Sequence, residues 1–442
     1  MASIPFADLP AFITILGCSR FALFRTMNAQ KYPSKVIVQL NSVRSWRLSL
    51  FSIGIIWLLT SCGTMNPFDT RIVESMSTQL SDIFVKEEVI VYEKEELDAL
   101  KATDPMPLKW KDKVSENQIA SFYTVYDNGA LYVADEEGKL TKYDTATGKQ
   151  LWQIKTKNRF SAGVGIGEGL ILIGTFKGEV LAYNESGHML WQAPVTSEIL
   201  SPPQIQNNIV VVRTLDGRIF GLDAIDGKRK WIYQGATPSL TVRSTAGITL
   251  AHGAVFAGFP GGKLVAMSLF NGNLGWEVTV SQPRGVTELE RMTDVTSSPV
   301  VNNQFVCAVA YQGRVACFAI NDGTQIWARE ASSSAGLTMD NDYVYVTEEK
   351  GIVAAYDLLS GAGMWKQSRL GSKKLSSPII RGQYIVVGDD QGYVNLLRNY
   401  DGVLVARSAT DGTAIQTPPS SLPDGFAVQT AKGGVYVFSV QF

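Results

Sequence analysis

Seven tryptophans recur along the chain, and six of them follow a glycine by four positions. They are Trp110, Trp152, Trp191, Trp231, Trp276, Trp327 and Trp365, and the glycines are Gly148, Gly187, Gly227, Gly272, Gly323 and Gly361. A further copy, "DGVLVA", has Gly402 with Ala406 in the tryptophan place. The successive intervals are 42, 39, 40, 45, 51, 38 and 41 residues. A period of this length marks a repeated supersecondary unit whose copies bury a core only against one another.

A second glycine lies 13 or 14 residues before each tryptophan position: Gly138, Gly178, Gly217, Gly262, Gly313, Gly351 and Gly392. Around it apolar and polar residues alternate, as in "LYVADEEGKLTKYD" and "YIVVGDDQGYVNLL". Alternation with period two predicts strands, and the glycine supplies the positive φ of a hairpin turn. The second turn, in "YDTATGKQLW" or "LDAIDGKRKW", predicts a third strand, and the apolar stretch ahead, such as "SSPIIRGQ", a fourth. About forty residues and four strands make one propeller blade.

The two ends complete the count. Trp110 has no hairpin glycine before it, while "TAKGGVYVFSVQF" has Gly433 and Gly434 but no tryptophan after them. Pairing the strand near Trp110 with the last strands makes a shared blade and removes the exposed edges of an open row. The expectation is an all-β, eight-bladed β-propeller of four-stranded antiparallel blades over residues 109–442, closed by its N- and C-terminal strands. The tryptophans read as packing residues between blades, where each buries about 150–250 Å2.

Ahead of the propeller, residues 62–108 read as a tether. They contain the charge-dense run "VKEEVIVYEKEELDALK", with some helical content expected. Residues 1–61 read as a leader. Lys31, Lys35, Arg44 and Arg47 precede an apolar run, Leu48–Leu59, of twelve residues. That is too short for a bilayer-spanning helix, which needs about 20. The order of basic segment, apolar core and small residues Thr60 and Ser61 is that of an export signal. Because the leader is long, Met27 is an alternative start. The stretch Leu59-Thr60-Ser61-Cys62 resembles the lipobox of bacterial lipoproteins, which implies acylation of Cys62 and cleavage before it. Gly63, rather than aspartate, implies the outer membrane.

Of the 40 basic and 41 acidic residues, six and one lie in 1–61, leaving 34 and 40 and a net charge of −6. Such a surface lacks the basic stripe that nucleic acid requires.

The blade pattern, aromatic or aliphatic-x-D-x-x-x-G-x-x-x-W, resembles the quinoprotein-type propeller repeat. The stretches "PSLTVRS" (238–244), "GVTELERMTDVTSSPVV" (285–301) and "VVGDDQGYVNLL" (386–397) resemble, within it, the BamB family of lipoproteins. The resemblance implies a non-enzymatic scaffold of the outer-membrane β-barrel assembly complex. Its expected partners are BamA, through that protein's periplasmic domains, and nascent outer-membrane proteins. It also implies a lipid-anchored position on the periplasmic face of the outer membrane.

Material for catalysis is sparse. His188 and His252 sit beside glycines in "SGHML" and "AHGAV" and read as turn residues. No catalytic residue, metal site or cofactor is expected, and the vicinal cysteines of an active quinoprotein dehydrogenase are missing. A quinone-cofactor dehydrogenase and a periplasmic ligand-binding propeller that uses its central channel are the rival readings. Cys307 and Cys317 flank the turn "AYQGR"; a cross-strand disulfide, allowed in some registers, and two buried thiols both remain open.

Connection lengths say more. Two consecutive links are long, one with "GATPSLTVRS" after Trp231 and one with "SQPRGVTELERMTD" after Trp276. Equivalent places in neighbouring blades predict that both emerge side by side on one rim, and long loops on a rigid scaffold collect binding residues. Leu240 and Val242 offer apolar contact; Arg243, Glu288, Glu290, Arg291 and Asp294 offer charge. The family resemblance implies that Leu240, Val242, Arg243 and Asp294 meet BamA. Where the family often shows Asp-Val-Asp, this chain has Asp294-Val295-Thr296, so one acidic contact is missing. The competing readings are a solvated loop, or an Arg243–Asp294 pair that only holds the loops.

Overall fold

In the computed structural model the described residues are 88–91, 106–117 and 122–440, less 237–239, 241, 243, 244, 288, 369 and 371–373. Every regular element among them is a strand, and the strands form eight sheets. Blade one runs Val125–Asp127, Ala130–Ala134, Lys139–Asp144 and Gln150–Lys155, from the central axis outward. Six further blades repeat this order, and their fourth strands are Met189–Pro194, Arg229–Gln234, Leu274–Thr279, Gln325–Glu330, Gly363–Ser368 and Leu404–Ala409. The innermost strands touch their neighbours around the whole circle.

Blade eight is shared between the termini. Ser420–Leu422, Gly425–Gln429 and Gly434–Ser439 are its inner three strands, and Leu108–Lys113 is its outer one. The outer strand is antiparallel to the last, with Trp110 opposite Val437 and Lys113 opposite Gly434. Joining distant parts of the sequence this way leaves the ring no open end.

The apolar residues form eight clusters, one in each seam between blades. Over each of seven seams lies the same lock. The indole nitrogen of Trp110, Trp152, Trp191, Trp231, Trp276, Trp327 or Trp365 donates to a backbone carbonyl in the next blade, at 2.8 to 3.1 Å. The ring rests on the glycine of that blade's last turn. At Gly361 (φ +68°) a Cβ would sit 2.4 Å from the Trp327 ring, so the close approach and the positive φ both require glycine.

A bulge aims each tryptophan. In all eight blades the pairing register slips at the residue before the tryptophan position. The slip turns the next side chain toward the neighbouring blade. It also leaves Leu151, Leu190, Ile326 and Met364 exposed at the slipped position. Ala406 now has a reason. Blade eight has no turn joining its third and outer strands, because the outer strand comes from the other end of the chain. With no turn to receive an indole, Ala406 packs in a cluster with Met106 instead.

The alternating strand directions give the wheel two faces. The turns that carry the lock glycines lie on one, here the turn face. On the other, the loop face, lie the central hairpins and the links between blades, tied together by bonds such as Val195 N to Gly178 O, 2.7 Å.

Candidate functional site

The two longest links from the outer strand of one blade to the inner strand of the next are 235–247, between blades three and four, and 280–299, between blades four and five. Both lie on the loop face, and one carboxylate joins them. Asp294, 3% exposed, accepts from the Val242 amide at 2.7 Å and from the Gly261 amide at 3.0 Å. Its own carbonyl accepts from Tyr311 N at 2.8 Å, in the hairpin of blade five. Asp294 therefore ties three blades' loops at one point.

Beneath this knot Arg213 lies 5.1 Å over the Phe259 ring and donates to the Ala246 carbonyl at 3.3 Å. Burial lowers its pKa to about 10, with Asp294 acting the other way, so it stays charged at neutral pH. Leu200, Arg213, Val242, Pro260 and Asp294 help line a cleft of about 40 Å3.

The second loop is stiff. Thr287 and Glu290 form a reciprocal capping box: Thr287 N donates to Glu290 Oε2 at 3.1 Å, and Glu290 N donates to Thr287 Oγ1 at 3.2 Å. Val286 N donates to the same carboxylate at 2.8 Å. These amides hold the Glu290 carboxyl below its ordinary pKa. One helical turn follows, with Arg291 N bonded to Thr287 O at 3.1 Å. With its amide turned so that the nitrogen faces them, Gln312 donates to the carbonyls of Met292 and Leu289 at 3.1 and 3.3 Å.

What the stiff loop displays is apolar. Val286 is 96% exposed, Leu289 65%, and Leu240 on the neighbouring loop 43%. Sequence reasoning missed Val286 and Leu289, because a lone valine and leucine in a charged loop show no periodicity. The signal that was present is the T-x-x-E box, which predicts a rigid turn holding Leu289.

Of the residues singled out from sequence, Val242 and Asp294 come together, Leu240 is exposed, Glu290 organises its own loop, and Arg291 is exposed. Arg243, Glu288 and Cys62 lie outside the described residues. Thr296, in the place of the family's second acid, is 5% exposed, and its hydroxyl points to the Ser333 carbonyl at 3.4 Å.

Cys307 and Cys317 are direct cross-strand partners, with Cα atoms 4.1 Å apart, joined as a buried disulfide. His188 lies in a turn closed by the Asn184 side chain, and His252 sits at φ +51° with Nε2 3.2 Å from the Asn302 carbonyl. Among the described residues no three of His, Cys, Asp and Glu converge as metal ligands.

A family model described as outer membrane protein assembly factor BamB matches residues 94–161 and 136–367. A relative in Nitrosomonas eutropha, the outer membrane protein assembly factor BamB, is 54% identical over 90% of this chain and 96% of its own length. The chain belongs to the BamB family. It is thereby an outer membrane protein assembly factor and a scaffold rather than an enzyme. The crystal structure of BamB from Moraxella catarrhalis matches with a TM-score of 0.70 at 26% identity, covering 76% of this chain and 99% of that one. The quinohemoprotein alcohol dehydrogenase of Comamonas testosteroni matches with a TM-score of 0.62 at 13% identity, over 79% of this chain and 78% of that one. Likeness at that identity speaks to the fold alone.

Proposed function

We propose that this BamB-family chain holds BamA, through that protein's periplasmic domains, on the loop face between blades three and five. Cys62 carries the lipid that keeps the wheel at the periplasmic side of the outer membrane. The observation that supports the contact is the knot at Asp294. It joins two long loops into one rigid surface and leaves Leu240, Val286 and Leu289 exposed beside charged Arg291. Protruding aliphatic anchors ringed by polar groups suit a protein interface, and their pre-organisation lowers the entropic cost of docking. Tethering both partners to one membrane raises their local concentration, so a modest contact area suffices. Nascent outer-membrane proteins pass to BamA beside this scaffold.

Affinity capture from envelope extracts tests the reading. The wild-type chain is expected to retain BamA, and a Leu240→Asp, Leu289→Asp variant to lose it while melting at the same temperature. Equal retention by both proteins would refute the contact. Absence of BamA from the wild-type capture would refute the scaffold role. Radiolabelled palmitate incorporation, lost in Cys62→Ala, tests the anchor separately.

A further inference from the structure

One segment of the tether is paired with the wheel. Glu88–Val91 lies as a fifth strand on the outer edge of blade six, parallel to Gly363–Ser368. Glu88 is opposite Trp365, Val89 opposite Lys366, Ile90 opposite Gln367 and Val91 opposite Ser368. The other seven sheets have four strands each among the described residues. The segment Val89-Ile90-Val91 is β-branched throughout, which suits a strand. The edge it meets is poorly defended. A lysine standing off an outer strand deters pairing, but Lys366 pairs back within its own blade, 3.1 Å from Glu348. The edge of blade eight, by contrast, carries Lys109, Lys111, Asp112 and Lys113.

We propose that Glu88–Val91 is a strap that fastens the tether to blade six, so that the wheel is carried by that blade. Two consequences follow, both resting on the lipid-anchor reading of Cys62. The stretch of chain between Cys62 and the first paired strand of the wheel shortens from residues 63–107 to residues 63–87, or from 45 to 25 residues. At about 3.4 Å per residue, its full span falls from about 150 Å to about 85 Å. The second consequence is direction. Gly363–Ser368 runs from the Gly361 turn toward the loop face, and Glu88–Val91 runs parallel to it. The chain before Glu88 therefore meets the wheel at the turn face, and an anchor upstream pulls on that face. The Asp294 knot lies on the other face.

Paired cysteines in the full chain, oxidised in the envelope and then counted with a maleimide–polyethylene glycol reagent, test the strap. Wild type gives the background from native thiols. In V91C/S368C both new thiols are expected to disappear from labelling, and adding Ile90→Pro is expected to restore them. V91C/K155C, at the same register position of blade one, is expected to label fully, as are the single variants. Labelling of V91C/S368C equal to that of V91C/K155C, in protein with an unchanged melting curve, overturns the strap. Loss of palmitate incorporation is read independently. If palmitate is absent from the wild type while the cysteines still pair, the anchor reading fails and the strap stands.

Discussion

The two faces of the wheel obey opposite rules. On the turn face, one arrangement of bulge, indole and glycine recurs at seven seams with almost no variation. On the loop face, links between blades range from the four residues of 156–159 to the twenty of 280–299. Repetition marks where the ring is held together, and departure from it marks the surface proposed to meet a partner. The seam locks are buried or half-buried and hydrogen-bonded; the long links are joined at Asp294, with Leu240, Val286 and Leu289 exposed beside it. Stability and recognition are therefore separable by mutation.

The largest effect is expected on the turn face. Trp327 is 4% exposed and loses both its packing and its bond to the Leu358 carbonyl in Trp327→Ala. A cost of about 3–5 kcal/mol is expected, read as a lower urea midpoint. Gly361→Val should destabilise comparably, because the indole it would displace is the same one. If either variant melts like wild type, the seams are not what hold the ring.

Asp294 sits between the two rules. Asp294→Ala leaves two backbone amides without their acceptor, at about 1–3 kcal/mol. Capture of BamA should fall as well, although the carboxylate is too buried for broad contact. Asp294→Asn keeps an acceptor oxygen and should retain part of both properties. Binding lost in Asp294→Ala with Val242 amide exchange unchanged would mean that the carboxylate touches the partner directly.

At the tips the order reverses. Val286→Ser and Leu289→Ser should leave stability within about 0.5 kcal/mol. If these residues are interface anchors, each should weaken BamA capture by about tenfold, the scale of a residue costing more than 1 kcal/mol on truncation. A variant that changes the melt but not the capture would erase the distinction between the faces.

The sequence made most of the turn face legible, because a tryptophan and a glycine repeated at one spacing report the same local geometry many times over. Ala406 looked like a degenerate copy. Its reason became visible only when blade eight was seen to lack the turn that receives an indole. The bulge before each tryptophan was hidden too, since it skips one residue without changing the spacing to the glycine. On the loop face the sequence showed which links were long, and that they were neighbours. It did not show that Asp294 faces inward to bind Val242 and Gly261, because backbone amides leave no mark in a sequence. Val286 and Leu289 were passed over for the related reason that exposure is decided by the loop's path.

The smallest expected effect is a pH dependence confined to one tip. The Glu290 carboxylate accepts from the Thr287 and Val286 amides, and those bonds hold its pKa below the ordinary value. A depressed acid contributes order that is complete above its unfolded pKa, about 4.3 for glutamate. That contribution is lost only as pH falls through the lowered folded value. The amides of Val286 and Thr287 should therefore stay protected from exchange at pH 5 and begin to open only below the ordinary glutamate range. In Glu290→Gln the opening should no longer depend on pH over that interval. Wild-type amides that open near pH 5 would mean that the turn is not held by this carboxylate, and Leu289 would lose the rigid mount on which its proposed role at the loop face depends.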